Sequence, residues 1–160
     1  MNEAVIPFDP PENATRDELK QRIRALAALV ERTPVPIAVA HDADCRDISA
    51  NAALAELLGV APGVNISLTP DAGAEPAYRI QRDGRDVPPH ELPMQAAIAS
   101  RSRITGDIEI VRADGSVLFV QNDVEPLYDA QGAVCGCVSV CVDMTVRRQA
   151  EAVLREAVRR

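Results

Sequence analysis

Two short turn-forming segments in the C-terminal half of the chain constrain its fold more than any other feature. Residues 113–116 (Ala-Asp-Gly-Ser) and 129–132 (Asp-Ala-Gln-Gly) combine aspartate with glycine, as tight turns between strands do. They separate three segments, 104–112, 117–127 and 133–143, that are long enough to be strands. Because short turns join antiparallel neighbours, the sequence predicts a three-stranded antiparallel meander.

The last of these segments predicts a strand that is covered on both faces. Successive residues of a strand point to opposite sides of the sheet. One side carries valines, at Val134, Val138, Val140 and Val142. The other side carries small side chains, at Cys135, Cys137, Ser139 and Cys141. A strand without a charged face is typical of the middle of a covered sheet.

Shorter elements precede the meander. Segments 37–41 and 45–50 are candidate strands on either side of an Asp-Ala-Asp turn. Asn51 is a typical N-cap for a short helix over 52–58, and Gly59 ends that helix.

The region between this helix and the meander is less regular. Residues 60–89 are rich in proline and glycine and predict irregular structure with a turn at Asp83-Gly84. Pro89 can begin a further helix that extends to residue 100. Together these elements predict an α+β domain with a sheet of about five strands.

Both ends of the chain predict amphipathic helices. Thr15 and Glu18 have the spacing of a capping box, and Pro34 limits the first helix. Apolar residues then recur at steps of four and three, at Leu19, Ile23, Leu26 and Val30. The last segment repeats these steps at Val146, Ala150, Val153 and Ala157. The spacing is typical of a coiled-coil seam, and the alternative is a helix that lies on its own domain.

These signals divide the chain into four parts. We expect a flexible leader over 1–13 and an N-terminal amphipathic helix over 14–33. A mixed domain follows over 34–145, and 146–160 begins a C-terminal coiled-coil helix.

Composition excludes several classes of function. The 160 residues carry a formal net charge of −7 and include two Phe, two Tyr and no Trp, so we expect no nucleic-acid partner. The longest apolar run, 134–142, is about half of a membrane span, and the N-terminus does not resemble a secretory signal. We therefore expect a cytoplasmic protein with reduced cysteines and no membrane contact.

An ordered set of motifs resembles the PAS domain, a sensory module of bacterial signalling proteins, and in part those of sensor histidine kinases. The matching pieces are Asn51-x-Ala53, Leu57-Leu58-Gly59, residues 88–95, residues 112–116, the Pro126 to Gly136 turn and Asp143-Met144-Thr145. The resemblance implies a five-stranded antiparallel sheet in the order 2-1-5-4-3. It also implies short helices that cross one face and can enclose a ligand.

Strand alternation combined with this resemblance predicts a pocket wall. In PAS relatives that hold flavin, a polar residue two positions before the closing aspartate faces the pocket, which places Cys141 there. Steps of two then give the candidate wall as Ile108, Ile110, Leu118, Val120, Asn122, Val124, Cys137, Ser139 and Cys141. A wall with few polar groups suits a small, largely apolar ligand, and the alternative is a filled core without a ligand.

Other chemistry finds little support in the sequence. The C-x-C-x-x-x-C pattern on one strand lacks the paired spacing of zinc sites, so no metal is predicted. The Asn-Cys-Arg motif of light-oxygen-voltage photochemistry is absent from the middle helices. His41 and His90 lie at a strand end and beside prolines, where a haem ligand is not expected. No nucleophile with a base is recognisable, so we predict neither an enzyme nor a bound cofactor.

The resemblance also implies how a signal leaves the domain. Asp143 and Thr145 lie where the last strand becomes a helix and are candidates for a relay, or alternatively only cap that helix. We expect the N-terminal helix to cover the outer face of the sheet and to pack against a second copy of the chain, which makes the helix and this face the homodimer interface. The expected interface residues are Leu19, Ile23, Leu26, Val30, Val138 and Val140, beside Val142 and Phe119.

Three functions are compatible with these observations. The first is a PAS sensory and dimerisation module that passes a signal through its C-terminal helix to an effector such as a histidine kinase. The second is a haem- or flavin-holding redox or gas sensor. The third is a ligand-free protein–protein interaction module.

Overall fold

A computed structural model describes residues 9–69 and 76–160, so most of the expected leader, residues 1–8, lies outside the described residues. The helices are α1 (Arg16–Arg32), α2 (Ala52–Leu58), α3 (Pro93–Ser100) and α4 (Thr145–Arg159). The strands are β1 (Ile37–Ala40), β2 (Ile48–Ala50), β3 (Tyr78–Arg82), β4 (Arg85–Asp86), β5 (Ile104–Arg112), β6 (Val117–Tyr128) and β7 (Val134–Asp143).

All the strands form one antiparallel sheet in the order β2-β1-β7-β6-β5-β3-β4. The first five positions reproduce the predicted order 2-1-5-4-3, and the α+β fold is confirmed. The predicted meander is β5, β6 and β7, which pair along most of their length because the turns at 113–116 and 129–132 are short.

The expectation of irregular structure throughout 60–89 is wrong for its last part. Strands β3 and β4 lie there and add a hairpin to the edge of the sheet. Asp83 and Gly84 form its two-residue loop, with φ of 51° and 75°. The turn was predictable because aspartate and glycine tolerate this conformation. The flanking strands could not be predicted, because strands of five and two residues are too short to show a clear alternation of inward and outward side chains.

Short helices cover one face of the sheet. Asn51 accepts a hydrogen bond from the Leu54 amide as the N-cap of α2, and Gly59 ends that helix in the left-handed region, as predicted. The helix expected from Pro89 begins later. Pro89–Glu91 forms a 3₁₀ turn, and α3 starts at Pro93, because a residue before proline favours extended backbone.

The two terminal helices begin close to their predicted positions. The capping box forms, with the Thr15 hydroxyl accepting from the Glu18 amide and the Glu18 carboxylate accepting from the Thr15 amide. Neither α1 nor α4 buries a single residue. The expected packing of the N-terminal helix over the outer sheet face is not seen in this single chain, because α1 contacts α2 instead.

The hydrophobic core lies between the inner face of the sheet and helices α2 and α3. Burial along β7 alternates as strand geometry requires. Cys137, Ser139 and Cys141 face the core, while Val138 and Val140 are half-buried on the outer face.

Candidate functional site

A cavity of about 60 Å³ lies between the inner face of the sheet and the short helices. The sheet contributes Ala38, Tyr78, Ile80, Ile108, Ile110, Asn122, Ser139 and Cys141. The helices and the loop before β3 contribute Leu54, Leu58, Ile66, Pro93 and Met94. Most of this wall is apolar, and its polar atoms come from only a few side chains.

Asn122 is the central polar group of the wall. It lies on β6 opposite Cys141 of β7 and is 5% exposed. Its Nδ2 donates to the Ser139 hydroxyl at 2.6 Å and lies 3.3 Å from the Cys141 sulfur. Its Oδ1 is buried and has no hydrogen-bond partner in the described part of the chain. An unpaired buried acceptor is costly, and this one belongs to a residue that lines the cavity.

The sulfur of Cys141 is part of the same polar group. Burial raises the pKa of the Cys141 thiol, although the contacts with Asn122 and Ser139 lower it in part. The thiol is therefore protonated at neutral pH and behaves as a small hydrophobic group with a weak donor.

Tyr78 lines the cavity from strand β3. Its hydroxyl donates to the carbonyl of Ile66, so it ties the loop after α2 to the sheet. Burial, with a smaller contribution from Cys141, raises the pKa of the Tyr78 phenol above its ordinary range. The phenol is neutral and its oxygen is already paired, which leaves Asn122 Oδ1 as the unpaired side-chain acceptor at this site.

The candidate wall residues separate into two groups. The structure places Ile108, Ile110, Asn122, Ser139 and Cys141 on the cavity. Val120, Val124 and Cys137 are fully buried beside it in the core, and Leu118 is partly buried against that core. Alternation gives the face of a strand, but the position of a cavity along that face depends on the helices above it.

Sequence reasoning missed the lining residues that come from the helices and from β3. Leu54 and Leu58 are four residues apart on α2, a spacing that predicts one inward face. Tyr78 and Ile80 lie on the same side of β3. The strand was not predicted, because the segment before it is rich in proline and glycine and the whole of 60–89 was expected to be irregular. An aromatic residue within a short alternating stretch was the available signal.

The four cysteines have different environments. Cys45 and Cys137 are both fully buried, and the neighbouring Cys45 thiol together with burial raises the pKa of Cys137. Cys135 is exposed, whereas Cys141 borders the cavity. Within residues 9–69 and 76–160, no group of three His, Cys, Asp or Glu side chains could hold a metal ion.

The start of α4 is hydrogen-bonded to strand β6. The Thr145 hydroxyl accepts from the Phe119 amide at 3.0 Å, and the Met144 amide donates to the Phe119 carbonyl at 2.7 Å. Asp143 Oδ1 accepts from both the amide and the hydroxyl of Thr145, at 2.9 and 2.6 Å. The candidate relay residues are therefore joined to each other and to the sheet.

Arg148 forms a second connection between α4 and the sheet. It donates to the Asp107 carboxylate at 3.1 Å, and its guanidinium lies 5.0 Å from the centre of the Phe119 ring. Asp107 directly precedes Ile108, which lines the cavity. The first turn of α4 thus contacts Asp107, one position from the cavity wall.

The expected interface residues lie on two separate surfaces. Leu26 and Val30 are 42% and 39% exposed on α1, and Ile23 is more exposed than either. Val138 and Val140 lie half-buried on the outer face of the sheet.

Flavin and haem do not fit this cavity. Pockets for ligands of drug size have volumes of roughly 300–1,000 Å³, several times the volume found here. Among the described residues that line the cavity there is no histidine, and its cysteine lies on β7 rather than on a helix. His41 instead bonds the exposed Ser49 hydroxyl, and His90 is exposed beside Glu91.

The fold is an α+β domain in which an antiparallel sheet and short helices line a small cavity and the last strand continues into an exposed helix. The family model described as the PAS fold matches residues 30–149, and the chain belongs to this family. The resemblance seen in the motifs is confirmed. No catalytic domain is evident in the residues that the structure describes.

Solved structures show the same fold at low sequence identity. An RNA-binding light-oxygen-voltage receptor is 23% identical with a TM-score of 0.62 over 93% of this chain, which spans 40% of that receptor's length. A sensory box histidine kinase/response regulator from Burkholderia thailandensis is 16% identical, with a TM-score of 0.53 over 84% of this chain and 95% of the other. The PAS domain of the fruit-fly ELK potassium channel is 11% identical, with a TM-score of 0.53 over 77% and 97%.

A search of curated proteins gives no match to this sequence. Across the described residues, no helix combines the length and the apolar character needed to cross a membrane.

Proposed function

We propose that this chain is a PAS sensory module that passes a signal through α4 to an effector such as a histidine kinase. The observation that carries the proposal is the bonding of Thr145 to Phe119 at the start of α4. Phe119 directly precedes Val120, which packs in the core beside the cavity. A shift of β6 would therefore act on the first turn of the output helix.

The second connection supports the same direction of transmission. Arg148 on α4 holds Asp107, whose neighbour Ile108 lines the cavity. A ligand that displaces Ile108 would alter the strand that anchors this arginine. Two strands of the wall would thus act on one helical turn.

We also propose that the module acts as a homodimer. The apolar side chains of α1 and α4 lack cover in the single chain, and a second copy supplies matching surfaces. In such a dimer, a rotation of α4 would be transmitted to both effector chains together.

The relay is tested by joining α4 in helical register to the dimerisation helices of a histidine kinase. Thr145→Val keeps the shape of the side chain but removes the acceptor for the Phe119 amide and the bond to Asp143. Each hydrogen bond contributes about 1 kcal/mol, so we expect autophosphorylation to change roughly fivefold or more.

Thr145→Ser is the matched control, because it retains the hydroxyl and should keep kinase output near that of the parent chimera. Equal autophosphorylation by the parent and Thr145→Val chimeras would show that these bonds do not transmit the signal. Circular dichroism of both variants would confirm that the domain remains folded.

A further inference from the structure

We propose that the cavity binds a small, uncharged molecule that donates one N–H or O–H hydrogen bond to Oδ1 of Asn122. The proposal rests on the sensory function above and adds the chemical class of the ligand. Asn122 is 5% exposed, lines the cavity, and has no partner for Oδ1. A buried carbonyl oxygen without a partner is the group that a donor-bearing ligand would satisfy.

The volume of the cavity limits the size of this ligand. A buried water needs about 10–15 Å³, so about 60 Å³ accommodates a molecule of about four to six non-hydrogen atoms. Such a molecule is far smaller than a flavin, a haem or a nucleotide.

The wall determines the charge of the ligand. None of the described residues that line the cavity carries a formal charge at neutral pH. Burial keeps the Cys141 thiol and the Tyr78 phenol in their neutral forms. An ion would lose its hydration without gaining an opposite charge, so the cavity selects a neutral molecule.

The polar side of the wall determines the direction of the hydrogen bond. Nδ2 of Asn122 is already engaged by Ser139 and Cys141, and the Tyr78 hydroxyl by Ile66. The Ser139 hydroxyl in turn lies 3.9 Å from the Cys141 sulfur. Among the described residues that line the cavity, the buried side-chain atom left without a partner is therefore an acceptor, Oδ1 of Asn122. An apolar ligand with a single donor satisfies it, whereas an isostere with only an acceptor would leave Oδ1 unpaired.

Pyrrole and furan test this prediction, because the two rings have the same size and differ in an N–H donor against an oxygen acceptor. Each is titrated into the ¹⁵N-labelled full chain, and amide shifts are followed by nuclear magnetic resonance. We expect pyrrole to shift the amides of Ile108, Asn122 and Ser139 and to bind about tenfold more tightly than furan.

Asn122→Leu supplies the matched variant, since leucine has a similar volume without the amide. The preference for pyrrole should fall to about twofold or less, whereas Gln121→Leu, on the exposed side of the same strand, should retain it. If Asn122→Leu fails to fold, the comparison of pyrrole and furan on the unaltered chain still decides whether the cavity prefers a ligand with a donor.

The titration separates this inference from the relay. Equal binding of the two rings, tighter binding of furan, or no shift with either ring would overturn the proposed ligand class. A clear preference for pyrrole without any shift of Thr145 and Arg148 would support the ligand class and contradict transmission to α4. Shifts along α4 without a preference for pyrrole would support transmission to α4 and overturn the proposed ligand class.

Discussion

Gly136 lies where β7 passes close to the end of β1. A Cβ atom at this position would lie 2.1 Å from the carbonyl oxygen of Ala40, closer than any packed side chain can approach. Its φ is not in the left-handed region, so the glycine is required for space rather than for backbone conformation. The neighbouring residue, Cys137, pairs with Ala40 and faces the core.

Gly136→Ala should therefore destabilise the domain. The new methyl group meets backbone rather than a movable side chain, so β1 and β7 must separate locally. We expect a loss of about 3 kcal/mol in the free energy of unfolding, measured by urea denaturation.

Gly106→Ala is the control for this substitution. Gly106 also lies in a long strand, β5, but a Cβ atom there would meet no atom within 4 Å. The added methyl group should leave stability unchanged or raise it by about 0.5 kcal/mol. A Gly136→Ala protein as stable as Gly106→Ala would show that β1 and β7 adjust without cost.

At the scale of elements, Asn51 joins three segments through one buried side chain. Its Oδ1 accepts from the amides of Ile37 on β1 and Leu54 on α2, at 2.9 and 3.1 Å. Its Nδ2 donates to the carbonyls of Val30 and Val35, at 2.9 and 2.8 Å. The residue predicted only as a helix cap therefore also fastens the end of α1 and the linker to the domain.

Asn51→Asp separates these two roles. Aspartate is an equally good N-cap, but it cannot donate to Val30 and Val35 and would turn a carboxylate oxygen toward their carbonyls. We expect a loss of about 3 kcal/mol in stability. Hydrogen exchange should show faster exchange in the last turn of α1, with α2 still protected.

Asn65→Asp provides the comparison, because Asn65 makes similar bonds, donating to Arg46 and accepting from Ile48 and Ser67, on an exposed side chain. Water can replace the lost donor there, so the cost should stay below about 1 kcal/mol. Similar losses from both substitutions would argue against a special role for Asn51.

The elements also show how far sequence reasoning extends. Strands with at least nine residues and the α2 caps follow from alternation and from residues with strong local preferences. Alternation, with the pocket face set by the resemblance at Cys141, predicts Asn122 on the inner face. Its unpaired oxygen was not predictable, because hydrogen bonding depends on which side chains meet across β6 and β7. The helix side of the cavity was missed because it depends on packing.

At the scale of the whole molecule, the two terminal helices contact the domain only in part: α1 contacts α2, and the first turn of α4 contacts the sheet. α1 has 17 residues and α4 has 15, and neither buries a residue in the single chain. Proteins stabilise helices mainly through the packing of an apolar face, and in the single chain neither helix packs one fully. Apolar residues on α4 are exposed as well, such as Val146 at 79% and Val158 at 86%, and the proposed second copy would cover them together with those on α1.

If that partner is a second copy, charges on the apolar side of α1 should separate the dimer. In Ile23→Glu/Leu26→Glu, two exposed apolar residues become acidic, so the isolated domain should keep its fold while the paired helices repel each other. Light scattering should give twice the 17.2 kDa chain mass for the parent and the single-chain mass for the variant. Gln21→Glu/Ala28→Glu adds two acidic groups away from the predicted seam and should remain dimeric.

A parent protein that is monomeric at micromolar concentration, or a seam variant that stays dimeric, would contradict the proposed assembly. The second result would leave α4 and the outer sheet face, around Val138 and Val140, as the remaining candidate interfaces.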